Sequence, residues 1–296
     1  MKQITIIGAG ELGTALGEVL KPENRVFWHD KNKKLALEQP ALDEILPASD
    51  IVFLCVPSPA LAGVINEIKK TISKNALVVS LTKGMEPDGK TPFDLLTENF
   101  STNRFGLLSG PMLAEELVSN RAVGVFASKS QFSFHRLTLA FSGTGIRLEH
   151  SFDLTGVEAC SILKNIYAIG FGIAESLGWG MNIRSWLLSQ VLGEMVLAVD
   201  ALGGRHATVF GPAGVGDLLA TGFSECSLNH RVGKELGSLG STNMESEGLS
   251  SIAPMWRKLR ALQKKLPVLS LLHEVIAGKQ RPELVFTRFV KSFPKM

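Results

Sequence analysis

Apolar and polar positions follow two rhythms along this chain. Over residues 1–150, short β-rich runs alternate with helical stretches. The strand candidates are QITIIG (3–8), RVFWH (25–29), IVFLCV (51–56), LVVSLT (77–82), FGLLS (105–109), AVGVFA (122–127) and IRLE (146–149). Four of them hold apolar runs with little alternation, the pattern of strands buried on both faces. ELGTALGEVL (11–20) and ALAGVINEIKKTI (60–72) carry helical spacing between them. Strand–helix alternation predicts a doubly wound, mainly parallel α/β sheet. From residue 151 the strand signal fades, and helical stretches are predicted at 156–177, 184–202, 216–222, 229–237 and 252–265. The expected organisation is an α/β domain over 1–150 and an all-α domain over 151–296.

The first strand candidate runs into Gly8-Ala9-Gly10-Glu11-Leu12-Gly13, a G-x-G-x-x-G placed before a helix. Gly8 permits the tight turn, Gly10 lets the backbone approach a pyrophosphate, and Gly13 lets helix pack on strand. The helix N-terminus offers N–H groups and partial positive charge to phosphates. The context predicts a dinucleotide site. Asp30 ends the second strand candidate, where a carboxylate accepts hydrogen bonds from the adenosine ribose and repels a 2′-phosphate. His29, Lys31, Lys33 and Lys34 surround it and offer that phosphate cations. NAD and NADP both fit, and Asp30 tilts the reading slightly toward NAD. Glu11 must turn to solvent, since its carboxylate would repel a pyrophosphate.

Ligand contacts in such sheets come from the carboxyl ends of strands. Pro57 ends one run and is expected to flank the cofactor. Lys83, before Gly84, ends the next, and Ser109-Gly110 ends the one after. In the second half, ACSILKNIYAIGFGIA (159–174) is apolar nearly all round, with Lys164 as its only charge. A buried ammonium needs a partner or a lowered pKa, and either suits acid–base work. Asn165 beside it can orient the lysine or a substrate carbonyl. Asp217 is either the partner of Lys164 or an N-cap. Glu247, before Gly248, is either a ligand contact or part of a turn.

Composition narrows the classes. The net charge is +3, from 31 basic and 28 acidic residues, which gives no general attraction to nucleic acid or an anionic membrane. Three dispersed cysteines provide no disulfide framework, and reduced thiols suit a cytosol. The six histidines have no metal-ligand spacing. No apolar run of roughly 20 residues is free of charge, so a soluble chain is expected.

Taken in order, GAGELGTAL, VPSPAL, LTKGMEP, LSGPMLAEEL, VEACSILKNIYAIGFGIAESLGWG, GVGDLLAT, SECSLNHRVG and EGLSS resemble the NAD(P)-dependent glycerol-3-phosphate dehydrogenase family, within the 6-phosphogluconate dehydrogenase-like group. The resemblance spans nearly the whole chain. It implies an N-terminal Rossmann domain, a helical substrate and catalytic domain, and reversible reduction of dihydroxyacetone phosphate to sn-glycerol 3-phosphate. By position it makes Lys164 the proton donor and has Lys83 hold and polarise the substrate. Asp217 would orient Lys164 or touch substrate, and Ser227 and Asn229 would lie at the substrate phosphate. Ala114 would sit by the nicotinamide and Glu247 near the cofactor. A homodimer is also implied.

The chain departs from the family pattern at several points. Leu228 stands where the family has an arginine, Met181 where it commonly has aspartate, and Met112 where it has serine or threonine. Glu11-Leu12 replaces a small polar residue and an aromatic. These changes motivate two alternatives: a reductase for a less anionic ketone, or a catalytically silent dinucleotide-binding protein. His230 or Arg231 replaces the missing cation if the helix near Asn229 turns one of them inward.

Overall fold

The computed structural model describes residues 1–35, 40–119, 121–278 and 280–291. The chain forms two compact units. One comprises Met1–Lys83 and Lys90–Glu158, the other Gly84–Gly89 and Ala159–Met296.

The first unit is built on a sheet of β1 (Gln3–Ile7), β2 (Arg25–His29), β3 (Ile51–Leu54), β4 (Leu77–Ser80), β5 (Phe105–Ser109), β6 (Ala122–Ala127) and β7 (Ile146–Ser151). Their order is β2-β1-β3-β4-β5-β6-β7. β1 to β5 run parallel, β6 pairs antiparallel with β5, and β7 runs parallel to β6. Every residue of β3, β4 and β5 is buried, as their unbroken apolar runs require. The helices of this unit are α1 (Glu11–Leu20), α2 (Leu42–Ile45), α3 (Ser58–Ile68), α4 (Pro92–Asn99), α5 (Ala114–Leu117) and α6 (Gln131–Ala140). Leu16 and Leu20 of α1 join Ile4, Phe53, Val79 and Phe126 in one core. The start of α4 has a capping box between Thr91 and Asp94, and Glu158 accepts the Phe93 N–H at 2.6 Å. That bond satisfies one more amide that the first helical turn leaves without a partner.

The division between the units falls within α7 (Leu154–Ser176), whose later part is the axis of the second unit. α7 is long and apolar enough to cross a bilayer, yet its apolar window is entirely buried inside the protein, as in a core helix. Around it lie α8 (Met181–Ala201), α9 (Asp217–Gly222), α10 (Leu228–Leu239), α11 (Glu247–Lys258), α12 (Pro267–Ile276) and α13 (Pro282–Lys291). α7 and α10 touch backbone to backbone. A Cβ on Gly172 would lie 2.1 Å from the His230 carbonyl oxygen, and one on Gly233 would lie 2.1 Å from that of Ile169. Gly84–Gly89 belongs to this unit through Met85, whose N–H reaches Ser251 Oγ at 3.0 Å, and Pro87, whose carbonyl accepts Arg257 at 2.6 Å. One buried carboxylate organises the far side. Glu194 of α8 accepts the N–H groups of Val268 (2.5 Å) and Leu269 (3.0 Å) and the Tyr167 hydroxyl (2.9 Å). It thereby caps α12 from another helix, and burial pushes its carboxyl up to about 7.

Candidate functional site

In the first unit the turn after β1 has glycine where the protein needs it and also where the protein does not. Gly8 takes φ +101°, and a Cβ there would lie 2.4 Å from the Cys55 carbonyl oxygen. A Cβ on Gly13 would meet the Gly8 oxygen at 1.9 Å. Gly10 differs. It is exposed, its φ of −69° suits any residue, and nothing among the described residues lies within 4 Å of a Cβ built on it. No packing among the described residues explains that glycine, and close approach of a pyrophosphate would. No side-chain hydrogen bond caps the start of α1, and the first amides of a helix have no partner within it. Glu11 is exposed, and Leu12 packs on the core. The turn is bound to the end of β2: Gly8 N–H donates to the His29 carbonyl at 2.8 Å, and Ala9 N–H donates to Asp30 Oδ2 at 2.7 Å. His29 Nδ1 is buried without a hydrogen-bond partner among the described residues. The cradle, the open Gly10 position and this orphaned ring nitrogen fit a dinucleotide.

The neighbouring strand ends gather the other candidates of this unit. Pro57 caps the start of α3, and Thr82 Oγ1 donates to the Val56 carbonyl at 2.8 Å. Lys83 Nζ donates to the Gly110 carbonyl at 3.4 Å, so these two residues are brought together. Gly110 has φ +108°, and a Cβ there would lie 2.7 Å from the Val123 oxygen. Ala114 is the first residue of α5 and packs against the core.

In the second unit, Lys164 is buried on α7 and does not reach solvent along its own stem. Its Nζ donates to Thr221 Oγ1 at 2.7 Å and lies 3.1 Å from Asp217 Oδ1. Thr221 Oγ1 in turn donates to Asp217 Oδ1 at 3.3 Å. Asp217 is not a cap. Gly216 holds that position, and the Asp217 carboxylate, buried in the first turn of α9, faces the lysine. A widened π-turn over Pro212–Gly216 delivers it there; such turns recur at functional sites. Beside Lys164, Asn165 Oδ1 accepts from Asn229 Nδ2 at 3.0 Å, and Asn229 Oδ1 accepts the Gly248 N–H at 2.9 Å. α7, α10 and the start of α11 are thus tied at one residue. Ser227 caps α10 and accepts the His230 N–H at 3.4 Å. Glu247 opens α11 behind the Ser246 cap.

The departures fall in different surroundings. Met112 is buried in the core of the first unit. Met181 is exposed at the start of α8, where its sulfur accepts from Arg184 at 3.2 Å. Leu228, the first residue of α10, is 44% exposed. His230 does turn inward, but toward Glu175, its Nε2 lying 3.4 Å from the carboxylate. Burial lowers the His230 pKa, against the opposing pull of Glu175. Glu175 also meets Lys234 at 2.8 Å and Arg184 at 2.6 Å, and the Lys234 hydrogen bond holds its carboxyl below the usual value. Arg231 is exposed. Thr221 and the Glu194–Tyr167 pair were not anticipated from the sequence. The spacing of Thr221, four residues beyond Asp217 on one helix face, was the available signal.

Known proteins complete the description. The chain is 32% identical over 315 aligned residues to a glycerol-3-phosphate dehydrogenase [NAD(P)+] of Alcanivorax borkumensis, covering 95% of this chain and 91% of the relative. This chain belongs to the NAD-dependent glycerol-3-phosphate dehydrogenase family. The family's N-terminal model matches residues 35–134 and its C-terminal model residues 153–287. A namesake from Teredinibacter turnerae is 31% identical, with 96% of this chain and 93% of the relative covered. The crystal structure of a glycerol-3-phosphate dehydrogenase from Coxiella burnetii superposes with a TM-score of 0.87 at 26% identity, covering 98% of this chain and 99% of the other. A D-mandelate dehydrogenase, at 13% identity and a TM-score of 0.64, shares the fold. The N-terminal family match begins beyond the glycine turn, so that turn is read from its own geometry. The Lys164–Asp217–Thr221 cluster lies inside the C-terminal match.

Proposed function

We infer that this chain is an NAD(P)-dependent dehydrogenase that interconverts dihydroxyacetone phosphate and sn-glycerol 3-phosphate. The observation that carries this reading is the Lys164 ammonium, buried in an apolar helix and held by Asp217 and Thr221. Isolated charge is costly in such surroundings, and an opposite charge at 3.1 Å compensates it. The arrangement holds a protonated amine at a set position, as a general acid requires. In ketone reduction Lys164 gives a proton to the carbonyl oxygen, and in alcohol oxidation it takes one back. The bound nicotinamide supplies or receives the hydride. Asp217 and Thr221 orient the ammonium. Asn165, steadied by Asn229, positions the substrate oxygen, and Lys83 with Gly110 holds and polarises the substrate. Ser227 and Asn229 serve the substrate phosphate. Gly8, Gly10 and Gly13 form the pyrophosphate cradle, flanked by Glu11, Leu12, His29, Asp30 and Pro57, with Ala114 and Glu247 further contacts to the cofactor. The setting proposed is cytosolic, supported by three free thiols, and the assembly proposed is a homodimer, as the family resemblance implies.

The test is oxidation of NADH and NADPH with dihydroxyacetone phosphate, compared with unphosphorylated ketones. Turnover of the phosphorylated ketone is expected. In Lys164→Ala it falls by about 10²–10⁴-fold, the usual contribution of a positioned general acid, while nucleotide binding persists. Undiminished turnover in that variant refutes the role of Lys164, and turnover confined to unphosphorylated ketones refutes the substrate.

A further inference from the structure

Ser227 and Asn229, which serve the substrate phosphate in the reading above, occupy the cap and first turn of α10. Their placement depends on how α10 lies along α7. The two helices touch at Gly172 and Gly233, and a Cβ on Gly237 would lie 1.9 Å from Ser176 Oγ, which leaves no space between them along this face. Side chains fix the rest. Asn229 binds Asn165 of α7, and the next residue, His230, turns its fully buried ring toward Glu175 at the end of the same helix. The His230 N–H meets the Ser227 hydroxyl oxygen, so ring, cap and Asn229 belong to one turn.

The surroundings of the ring suit a neutral imidazole. Glu175 Oε2, 3.4 Å from His230 Nε2, already accepts Arg184 of α8 at 2.6 Å, and Glu175 Oε1 meets Lys234 of α10 at 2.8 Å. Two cations thus stand against one carboxylate before the ring takes any charge. Among the described residues, Glu175, Arg184 and Lys234 are the charges that face His230 from α7, α8 and α10, and Glu225, before α10, acts on Lys234. Neither ring nitrogen has a hydrogen-bond partner among the described residues. A proton there would add a third positive charge, sealed from water, beside a carboxylate already matched. Burial lowers the ring's pKa accordingly; Glu175 opposes this, and Lys234 and Arg184 add to it.

We propose that His230 is a positioning residue whose neutral ring holds the substrate turn Ser227–Asn229 against α7, and that protonation of the ring releases that turn. The proposal rests on the substrate reading of the preceding section. Linkage gives the direction. When the turn comes away, the ring meets water and takes its proton near the ordinary value of about 6.5. Acid therefore favours the released form, and substrate, which needs the turn in place, favours the neutral ring. Substrate affinity falls as pH drops below that value. Turnover at saturating substrate is not lowered by this route, because Lys164 lies on α7 and keeps Asp217 and Thr221.

The experiment measures kcat and KM for dihydroxyacetone phosphate at saturating nucleotide, from about pH 7.5 to about pH 5.5, the range in which a histidine titrates. The parent is compared with His230→Gln and Lys234→Gln. The substrate phosphate itself titrates near about pH 6 and contributes equally to all three, so the difference between proteins is the readout. The parent KM is expected to rise about fivefold more than that of His230→Gln, one linked proton setting a ceiling of about tenfold per pH unit. The kcat profiles should coincide. Lys234→Gln, at a partly exposed position, removes a repelling cation from the ring and should show a shallower rise in KM than the parent. That comparison decides the matter if His230→Gln does not fold. Parallel KM profiles in the parent and His230→Gln overturn the proposal, as does a His230→Gln effect confined to kcat, or a rise in Lys234→Gln as steep as the parent's. Absence of turnover with dihydroxyacetone phosphate at every pH overturns the substrate reading itself, a result distinct from parallel profiles.

Discussion

Removing the Asp217 carboxylate separates what the buried pair does for stability from what it does for chemistry. Both side chains are nearly sealed from solvent, with 7% and 2% exposure, and their charged atoms lie 3.1 Å apart. Taking an effective dielectric near 20, Coulomb's law gives about 5 kcal/mol of attraction at that distance. Asp217→Ala leaves an ammonium whose remaining partners include Thr221, a neutral hydroxyl. Breaking one side of a buried pair costs about 3–5 kcal/mol, and the Coulomb figure agrees. For a helical unit of this size the melting temperature should drop by roughly 10 °C. Lys164→Met combined with Asp217→Leu removes both charges and fills the space with apolar atoms. It should recover most of the loss, since a well-packed apolar pair replaces a buried ion pair at little cost. Thermal and urea unfolding followed by circular dichroism compare the parent, the single variant and the double variant, and nucleotide oxidation measures turnover of each. The expected pattern is a single variant that is unstable and inactive, and a double variant that is stable and inactive. An Asp217→Ala protein within about 1 kcal/mol of the parent refutes charge compensation, since the uncompensated ammonium alone costs more than that. A double variant no more stable than the single one refutes it as well.

Two further outcomes follow from the geometry. The Glu194 carboxyl stands at about 7 in the folded chain against an ordinary 4.5, so the folded state holds a proton there that the unfolded state releases. Its contribution is fully present below about pH 4.5 and is lost as pH rises through 7, a fall of about 3 kcal/mol that urea unfolding across this window measures. Glu194→Gln should flatten that dependence, and an unchanged slope in the variant would remove Glu194 as its source. The glycine turn offers a contrast: Gly10→Ala meets open space and should unfold within about 0.5 kcal/mol of the parent, yet bind dinucleotide at least tenfold more weakly. Gly13→Ala drives a methyl onto the Gly8 oxygen and should cost about 1–3 kcal/mol; parental stability in Gly13→Ala would contradict the packing described.

The sheet was legible in the chain because β3, β4 and β5 are buried on both faces and show this as unbroken apolar runs. The antiparallel setting of β6 was not, since strand direction depends on the path of the connection and leaves no mark on strand composition. In the helical half, α7 announced itself by one charge in an apolar stretch. α11 was expected from residue 252, but it begins at Glu247 behind the Ser246 cap and carries Pro254 in its interior. Its predicted continuation to 265 is instead a separate 3-10 turn, Arg260–Lys265. α12 and α13 were missed although each begins with proline, a residue well suited to a first helical position. The lysine could be singled out because buried charge is rare. Whether Asp217 was its partner or a cap depended on the turn at Pro212–Gly216, a backbone feature that local composition does not encode. Asn229 was anticipated as a ligand contact, and its bridge from Asn165 to Gly248 emerged only from the packing of three helices.

The placement of Gly84–Gly89 has a consequence for how the protein is made. This hexapeptide leaves the ribosome early, but its hydrogen-bond partner Ser251 lies 166 residues downstream of Met85. A contact of that separation closes late, because chain entropy must be overcome before it forms. The helical unit is therefore complete only after most of the polypeptide exists, whereas the β1–β7 unit needs nothing beyond Glu158. Cutting the gene at the boundary within α7 would not yield two self-sufficient products: the downstream fragment would lack six residues of its own structure, encoded in the upstream half.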